Sequence, residues 1–274
     1  MRRAPSLSIE AVRRDFPLLE REVQGKPVVY LDSAATSLKP RPVIRAVTEF
    51  YEKHTANVNR GVHFLNLKAS QLFEASREEV ASVLNASPRE IVFTRNATEA
   101  IHLVARSLPP EETVLYTLLE HHSNFLPWSR RGAAAVKLLS DGRLDREDLE
   151  RKLESQRPAL LAIAHVSNAF GVVHPLAEII EMAHARGARV LVDACQSAPH
   201  RPLDVQALDC DYLCFSGHKM CGPSGVGVLY GKLPLLEALP PAVFGGDMVR
   251  EVHQDDFVLQ DVPHRLEAGT PAME

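Results

Sequence analysis

Lys219 lies at the centre of a polar, glycine-punctuated stretch, Ser216 to Gly225, set between two short apolar runs, Tyr212 to Phe215 and Val226 to Tyr230. Runs of that length and residue type read as buried strands, which places Ser216, His218 and Lys219 where a strand ends. Four more polar clusters also follow apolar runs: Asn96 to Thr98, His121-His122, His165 to Asn168 and Asp193 to Gln196. Each has a plainer reading on its own: Thr98 beside Asn96 as part of a helix cap, Asp193 as a turn residue, the two histidines as a loop pair. In a parallel sheet, however, such ends converge on one edge, and open α/β sheets keep their ligands there.

Converged, these residue types have a shared chemistry. An amine partly withdrawn from water spends more time uncharged and can attack a carbonyl to form a Schiff base. An aspartate facing a pyridine nitrogen keeps it protonated, which turns the ring into an electron sink. An imidazole can stack on that ring, and the N–H groups opening a helix at Thr98 can hold a phosphate. This is the equipment of a pyridoxal 5'-phosphate site. Other motif readings are weaker. The glycines of Gly222 to Gly227 lack both the Gly-Lys-Ser/Thr ending of a P-loop and dinucleotide spacing. A zinc site built from His218, Cys221 and the His121-His122 pair lacks an H-E-x-x-H or paired-cysteine motif, so no metal is expected.

The elements that must position these residues alternate. Ser8 can cap a helix to Asp15, ended by Pro17, ahead of the apolar run Val28 to Leu31. Pro40 and Pro42 open a second helix; a third, from about Asn66 to Leu84, is expected to turn Leu72, Val80 and Val83 inward. From Ile91 the order becomes strand, turn, helix. Ile91 to Thr94 is a strand, and Asn96 caps the next helix with Glu99 three residues on. Strands are expected at Val114 to Leu119, Ala133 to Leu139, Ala159 to Ala164 and Val190 to Val192. Helices follow Asp145 and Pro175. The alternation predicts an α/β three-layer sandwich with a mostly parallel sheet and helices on both faces. Pro234 to Pro241 reads as a surface excursion, and the chain from Phe244 onward has no assignable pattern.

Composition narrows the partners. The 274 residues are 45% hydrophobic, enough for one large domain, with a formal net charge of −4 and no basic block. That balance gives no nucleic-acid surface, and no run approaches a membrane span. Arg2 and Arg3 are not followed by the apolar segment of a secretory signal, so a cytoplasmic setting is the default. The four cysteines contain no C-x-x-C pair and do not form a disulfide framework.

The chain resembles the class V aminotransferase-like group of fold-type I pyridoxal-phosphate enzymes, and within it the Suf-type (group II) cysteine desulfurases. The resembling stretches are Tyr30 to Ala35, Asn59 to His63, Arg95 to Glu99, Glu120 to Asn124 with Pro127-Trp128, His165 to Asn168, Val192 to Gln196, Phe215 to Lys219 with Gly222-Pro223, and Glu267 to Pro271. The resemblance implies that Lys219 is the Schiff-base lysine, Asp193 the pyridinium partner and His121 the stacking imidazole. It implies that Asn168 and Gln196 contact the ring and its phenolic oxygen. Thr98, Ser216 and His218 would be phosphate ligands, and Thr270 would reach the phosphate of the other subunit of a homodimer. The implied reaction converts L-cysteine to L-alanine and a persulfide, with selenocysteine as an alternative substrate and a Suf-type sulfur-acceptor protein downstream in iron–sulfur cluster assembly.

Two departures accompany it. Position 97 is alanine where many relatives carry a small hydroxyl residue. The family's C-terminal segment, with its persulfide cysteine and carboxylate-binding arginine, has no counterpart before Glu274. The expectation is therefore a truncated member: residues 1–25 as an arm or part of a small domain, and 26–274 as an incomplete cofactor-binding large domain. An inactive cofactor binder, a partner subunit, or another class V lyase or aminotransferase such as selenocysteine lyase are the alternatives.

Overall fold

The structure is a computed structural model that describes residues 8–59 and 61–274. Arg60, one residue of the Asn59 to His63 motif, and the first seven residues of the expected arm lie outside the described residues. Helix α1 (Ile9–Arg14) starts where Ser8 Oγ accepts from the Ala11 N–H, as its cap chemistry predicts. A small hairpin of β1 (Glu22–Val23) and β2 (Lys26–Pro27) follows; the run Val28 to Leu31 itself is irregular.

After α2 (Arg41–Glu49), α3 (Phe64–Leu84) presents a different face from the one expected. Ala69, Phe73, Arg77, Ala81 and Leu84 are buried; of the expected residues Val80 packs half-buried against the core, whereas Val83 is 65% exposed and Leu72 36%. The reason is a cation. Arg77 sits 4.7 Å over the Phe93 ring and 5.3 Å over Phe73, and it bonds both Glu267 and the Ile91 carbonyl. An apolar count along the helix rejects that stripe because its central member is arginine.

Strands β3 (Ile91–Thr94), β4 (Val114–Thr117), β5 (Ala134–Val136), β6 (Leu160–Ala164), β7 (Arg189–Asp193), β8 (Tyr212–Ser216) and β9 (Gly227–Gly231) form one sheet in the order β3-β9-β8-β7-β6-β4-β5. Only β9 runs against the others: it is antiparallel to both β3 and β8, and the remaining pairs are parallel. The helices between them are α4 (Ala97–Ser107), α5 (His122–Ser129), α6 (Arg146–Gln156), α7 (Leu176–His184) and α8 (Val205–Leu208). Every residue of β6, β8 and β9 is buried, which accounts for their unbroken apolar runs. The expected three-layer architecture is present.

The stretch read as a surface excursion contains α9 (Leu233–Ala238), with Leu236 fully buried. Gly231 makes the room, because a Cβ there would stand 2.6 Å from the Leu236 side chain. The unassigned tail forms a hairpin of β10 (Val249–Val252) and β11 (Phe257–Leu259). Among the described residues no helix is long and apolar enough to cross a membrane.

Candidate active site

Because β3, β4, β6, β7 and β8 share a direction, their C-terminal ends meet at one edge of the sheet. A cavity of about 600 Å³ opens there, and Thr98, His121, Asn168, Asp193, Gln196, Ser216, His218 and Lys219 all line it. Of the residues to which the resemblance gives a cofactor role only Thr270 is absent from the lining, and it is exposed; His122 and His165 of the polar clusters also lie outside it.

Local chemistry holds each wall. Asn96 caps α4 by accepting from the Glu99 N–H at 2.9 Å, and the Ala97 N–H donates to Ser216 Oγ at 2.9 Å. The first turn of α4 is thereby fastened to the end of β8. The approach of β9 is equally close: a Cβ on Gly227 would lie 2.5 Å from Asn96 Cα, so only glycine fits beneath this helix start. Thr98 Oγ1 and Ser123 Oγ are 2.6 Å apart, and Ser123 Oγ lies 3.0 Å from His121 Nδ1. His121 caps α5 through the same nitrogen, which accepts from the Ser123 N–H. Burial, followed by the nearby Lys219 charge, lowers the His121 pKa from its ordinary value. His218 is lowered by burial and then by the charges of Lys219 and Lys39.

Asp193 is 6% exposed, and its Oδ1 accepts from the Cys195 N–H at 2.9 Å. Among the described residues it forms no ion pair. A carboxylate taken out of water without a cation is costly, so the position favours a protonated, positively charged partner in the cavity. That chemistry is compatible with pyridoxal phosphate. A ring nitrogen could take its proton against Asp193, an amine stands nearby on Lys219, and the N-terminus of α4 favours an anion with Thr98, Ser216 and His218 around it.

The N-terminal loop is the part that residue patterning left without a role. Asp32, Ala34 and Ala35 line the cavity, and Gln196 Nε2 donates to the Ala34 carbonyl at 2.8 Å. The His218 carbonyl receives the Ser37 N–H at 3.0 Å, Ser37 Oγ at 2.9 Å, Thr36 Oγ1 at 3.1 Å and Lys39 Nζ at 2.8 Å. That cluster ties the loop to the turn bearing Lys219. Its only sequence signal was the Tyr30 to Ala35 motif, since the partners are about 180 residues apart.

Three of the four cysteines are buried and unreactive in character. Burial raises the thiols of Cys195 and Cys214 well above their ordinary value, and Cys210 to about 12. Cys195 lines the cavity but is 8% exposed. Cys221 is half-buried beside a second cavity of about 500 Å³ that shares Lys219.

The seven-stranded, mostly parallel sheet matches the large domain of fold-type I pyridoxal-phosphate enzymes. The family model for class V aminotransferases matches residues 29–274. The "Probable cysteine desulfurase" of Synechocystis is 51% identical over 98% of this chain and 66% of its own length. The "Cysteine desulfurase" of Pectobacterium atrosepticum is 47% identical over 97% of this chain and 68% of its own. The apo structure of a cysteine desulfurase from Thermococcus onnurineus superposes with a TM-score of 0.89 at 40% identity, covering 97% of this chain and 67% of that one. A cysteine desulfurase of Escherichia coli in an S-sulfonic acid form gives 0.85 at 41% identity over 97% and 68%. This chain belongs to the class V aminotransferase family, on its cysteine desulfurase branch. It spans about two thirds of the length of these relatives.

Proposed function

We propose that this chain is the cofactor-binding part of a pyridoxal-phosphate-dependent cysteine desulfurase. The observation that supports it most is the meeting of Lys219, Asp193 and the start of α4 around one cavity. Pyridoxal phosphate, when bound, supplies an electron sink for the Cα of an attached amino acid. Lys219 would hold the cofactor and would move a proton at the substrate Cα. Asp193 would keep a proton on the ring nitrogen. His121 would pack against the ring, while Asn168 and Gln196 would orient it. Thr98, Ser216 and His218 would hold the phosphate.

In the proposed reaction an acceptor thiol takes the sulfur of L-cysteine. The carbon–sulfur bond breaks, a sulfur–sulfur bond forms, and the carbon skeleton gains a proton to leave as L-alanine. A thiolate is the nucleophile in such a step, and the raised pKa values of Cys195, Cys210 and Cys214 disfavour them as acceptor. The acceptor thiol in this proposal is none of these three. Thr270, exposed and away from this chain's own cavity, is proposed to serve the cavity of a second copy in a homodimer. A Suf-type acceptor protein is the proposed recipient of the sulfur.

The test is to add pyridoxal phosphate to the purified chain, record its visible absorption, and assay alanine released from L-cysteine with dithiothreitol. A visible band present in wild type and lost in Lys219→Ala supports the cofactor assignment, and its absence in wild type overturns it. A band without alanine restricts the chain to cofactor binding.

A further inference from the structure

Beneath the His121 wall lies a buried polar chain that the proposed reaction does not use. Glu120 Oε1 accepts from Thr117 Oγ1 at 2.6 Å, and Oε2 accepts from Asn124 Nδ2 at 2.6 Å. The Ala164 peptide, at the end of β6, stands beside the same carboxyl. Asn124 cannot turn its amide round, because its Oδ1 accepts from Trp128 Nε1 at 3.0 Å. Thr117, Asn124 and Trp128 are each 0% exposed. The Asn124 N–H in turn donates to the His121 carbonyl at 2.7 Å. One carboxyl thus joins β4, β6 and α5, and its partner Asn124 grips the residue that caps α5.

We propose that Glu120 is a positioning residue for this site: by fastening the turn after β4 to the end of β6 and to α5, it sets the His121 ring in the cavity wall. The inference rests on the pyridoxal-phosphate reading above. It follows from the hydrogen bonds. One oxygen of the carboxyl faces the Thr117 hydroxyl and the other accepts from the Asn124 amide, which is unable to reverse, with the Ala164 peptide beside them. Removal would leave those donors buried and unpaired, at the turn that carries His121. The titratable groups facing Glu120 are Asp193 on β7 and Cys214 on β8; the groups contributed by β4, β6 and α5 are neutral. No cation stands among these groups, so the carboxyl is held by hydrogen bonds and not by an ion pair.

A residue that acts through His121 has nothing left to position once His121 is gone, whereas a residue that merely stabilises the domain keeps its effect. The experiment is a double-variant cycle on pyridoxal-phosphate dissociation constants, read by visible absorption, with Glu120→Ala, His121→Ala and the pair. Thermal unfolding of each protein accompanies it. Each single variant is expected to weaken binding about tenfold, a change of ~1.4 kcal/mol, and the double variant no more than either single. If Glu120→Ala does not fold, Glu120→Asp, one methylene too short to span its donors, takes its place in the cycle with about a threefold effect and the same non-additivity. Multiplicative losses in the double variant, or a Glu120 variant that binds as wild type does, overturn the inference. Wild type that takes up no pyridoxal phosphate overturns the cofactor reading instead, and the two failures are thereby distinguished.

Discussion

Replacing Arg77 with methionine should cost far more than its chemistry as a helix residue implies. Its side chain is 2% exposed and faces Glu267 at 10%, with Nη1 and Nη2 donating to the two carboxylate oxygens at 2.7 and 3.0 Å. Nη1 also donates to the Ile91 carbonyl, and Nε to Glu74. An exposed pair would contribute at most ~1 kcal/mol, but removal of one partner of a buried pair costs about 3–5 kcal/mol because the other charge stays buried. Methionine preserves most of the stem's packing, so the expected loss is dominated by the stranded Glu267 carboxylate, which retains the Phe93 N–H at 2.5 Å. We expect ~4 kcal/mol in urea unfolding, close to a thousandfold in the folding equilibrium. The double variant Arg77→Met with Glu267→Gln should recover about half of it, since the uncompensated charge is gone. Arg77→Lys should fall between, because an ammonium lacks the planar fork that serves Glu267 and stacks on Phe93. A loss below ~1 kcal/mol for Arg77→Met would mean the pair behaves as a surface contact, and the argument from burial would be wrong.

Two further outcomes follow from the site. Burial raises the Glu120 carboxyl from 4.5 to about 8, and although the residue as a whole is partly exposed, its carboxyl is enclosed. The folded chain therefore keeps a proton that the unfolded chain releases, so this group's contribution is complete below pH 4.5 and is lost as pH rises towards 8. At 1.36 kcal/mol per pH unit the ceiling is ~5 kcal/mol. Glu120→Gln, which cannot ionise, should gain stability relative to wild type between pH 5 and 8, and a flat difference curve in urea unfolding would contradict the assignment. Gly227→Ala would drive a Cβ into the Asn96 backbone and displace the start of α4. It should weaken pyridoxal-phosphate binding about tenfold and cost roughly 1–3 kcal/mol; unchanged affinity by titration would show that α4 does not hold the phosphate.

Much of this was legible because it depends on short-range pattern. A buried strand between two layers of helices is apolar on both faces, so β6, β8 and β9 appear as unbroken runs, and a helix start needs a side-chain acceptor, so Ser8, Asn96 and Asp145 announce α1, α4 and α6. That polar residues after such strands would gather around one cavity could be expected without coordinates, since the strands' shared direction brings their ends together. The register of α3 could not be read, because a buried arginine is recognisable as core only when Glu267, 190 residues away, is seen to neutralise it. Nor could α9, whose burial depends on the space left by Gly231.

What the sequence determined by itself was the order of the seven sheet strands, the α/β class and the residue types gathered at Lys219, because local sterics, capping and hydrophobic period are properties of neighbours along the chain. What only the tertiary structure decided was how those residues are held. The loop from Asp32 to Lys39 grips the His218 carbonyl, Ser216 is bonded to the start of α4, and Glu120 joins Thr117 of β4 to Asn124 of α5. These are contacts between distant segments, and their energies come from burial and from donors without other partners, quantities that exist only after the chain has folded.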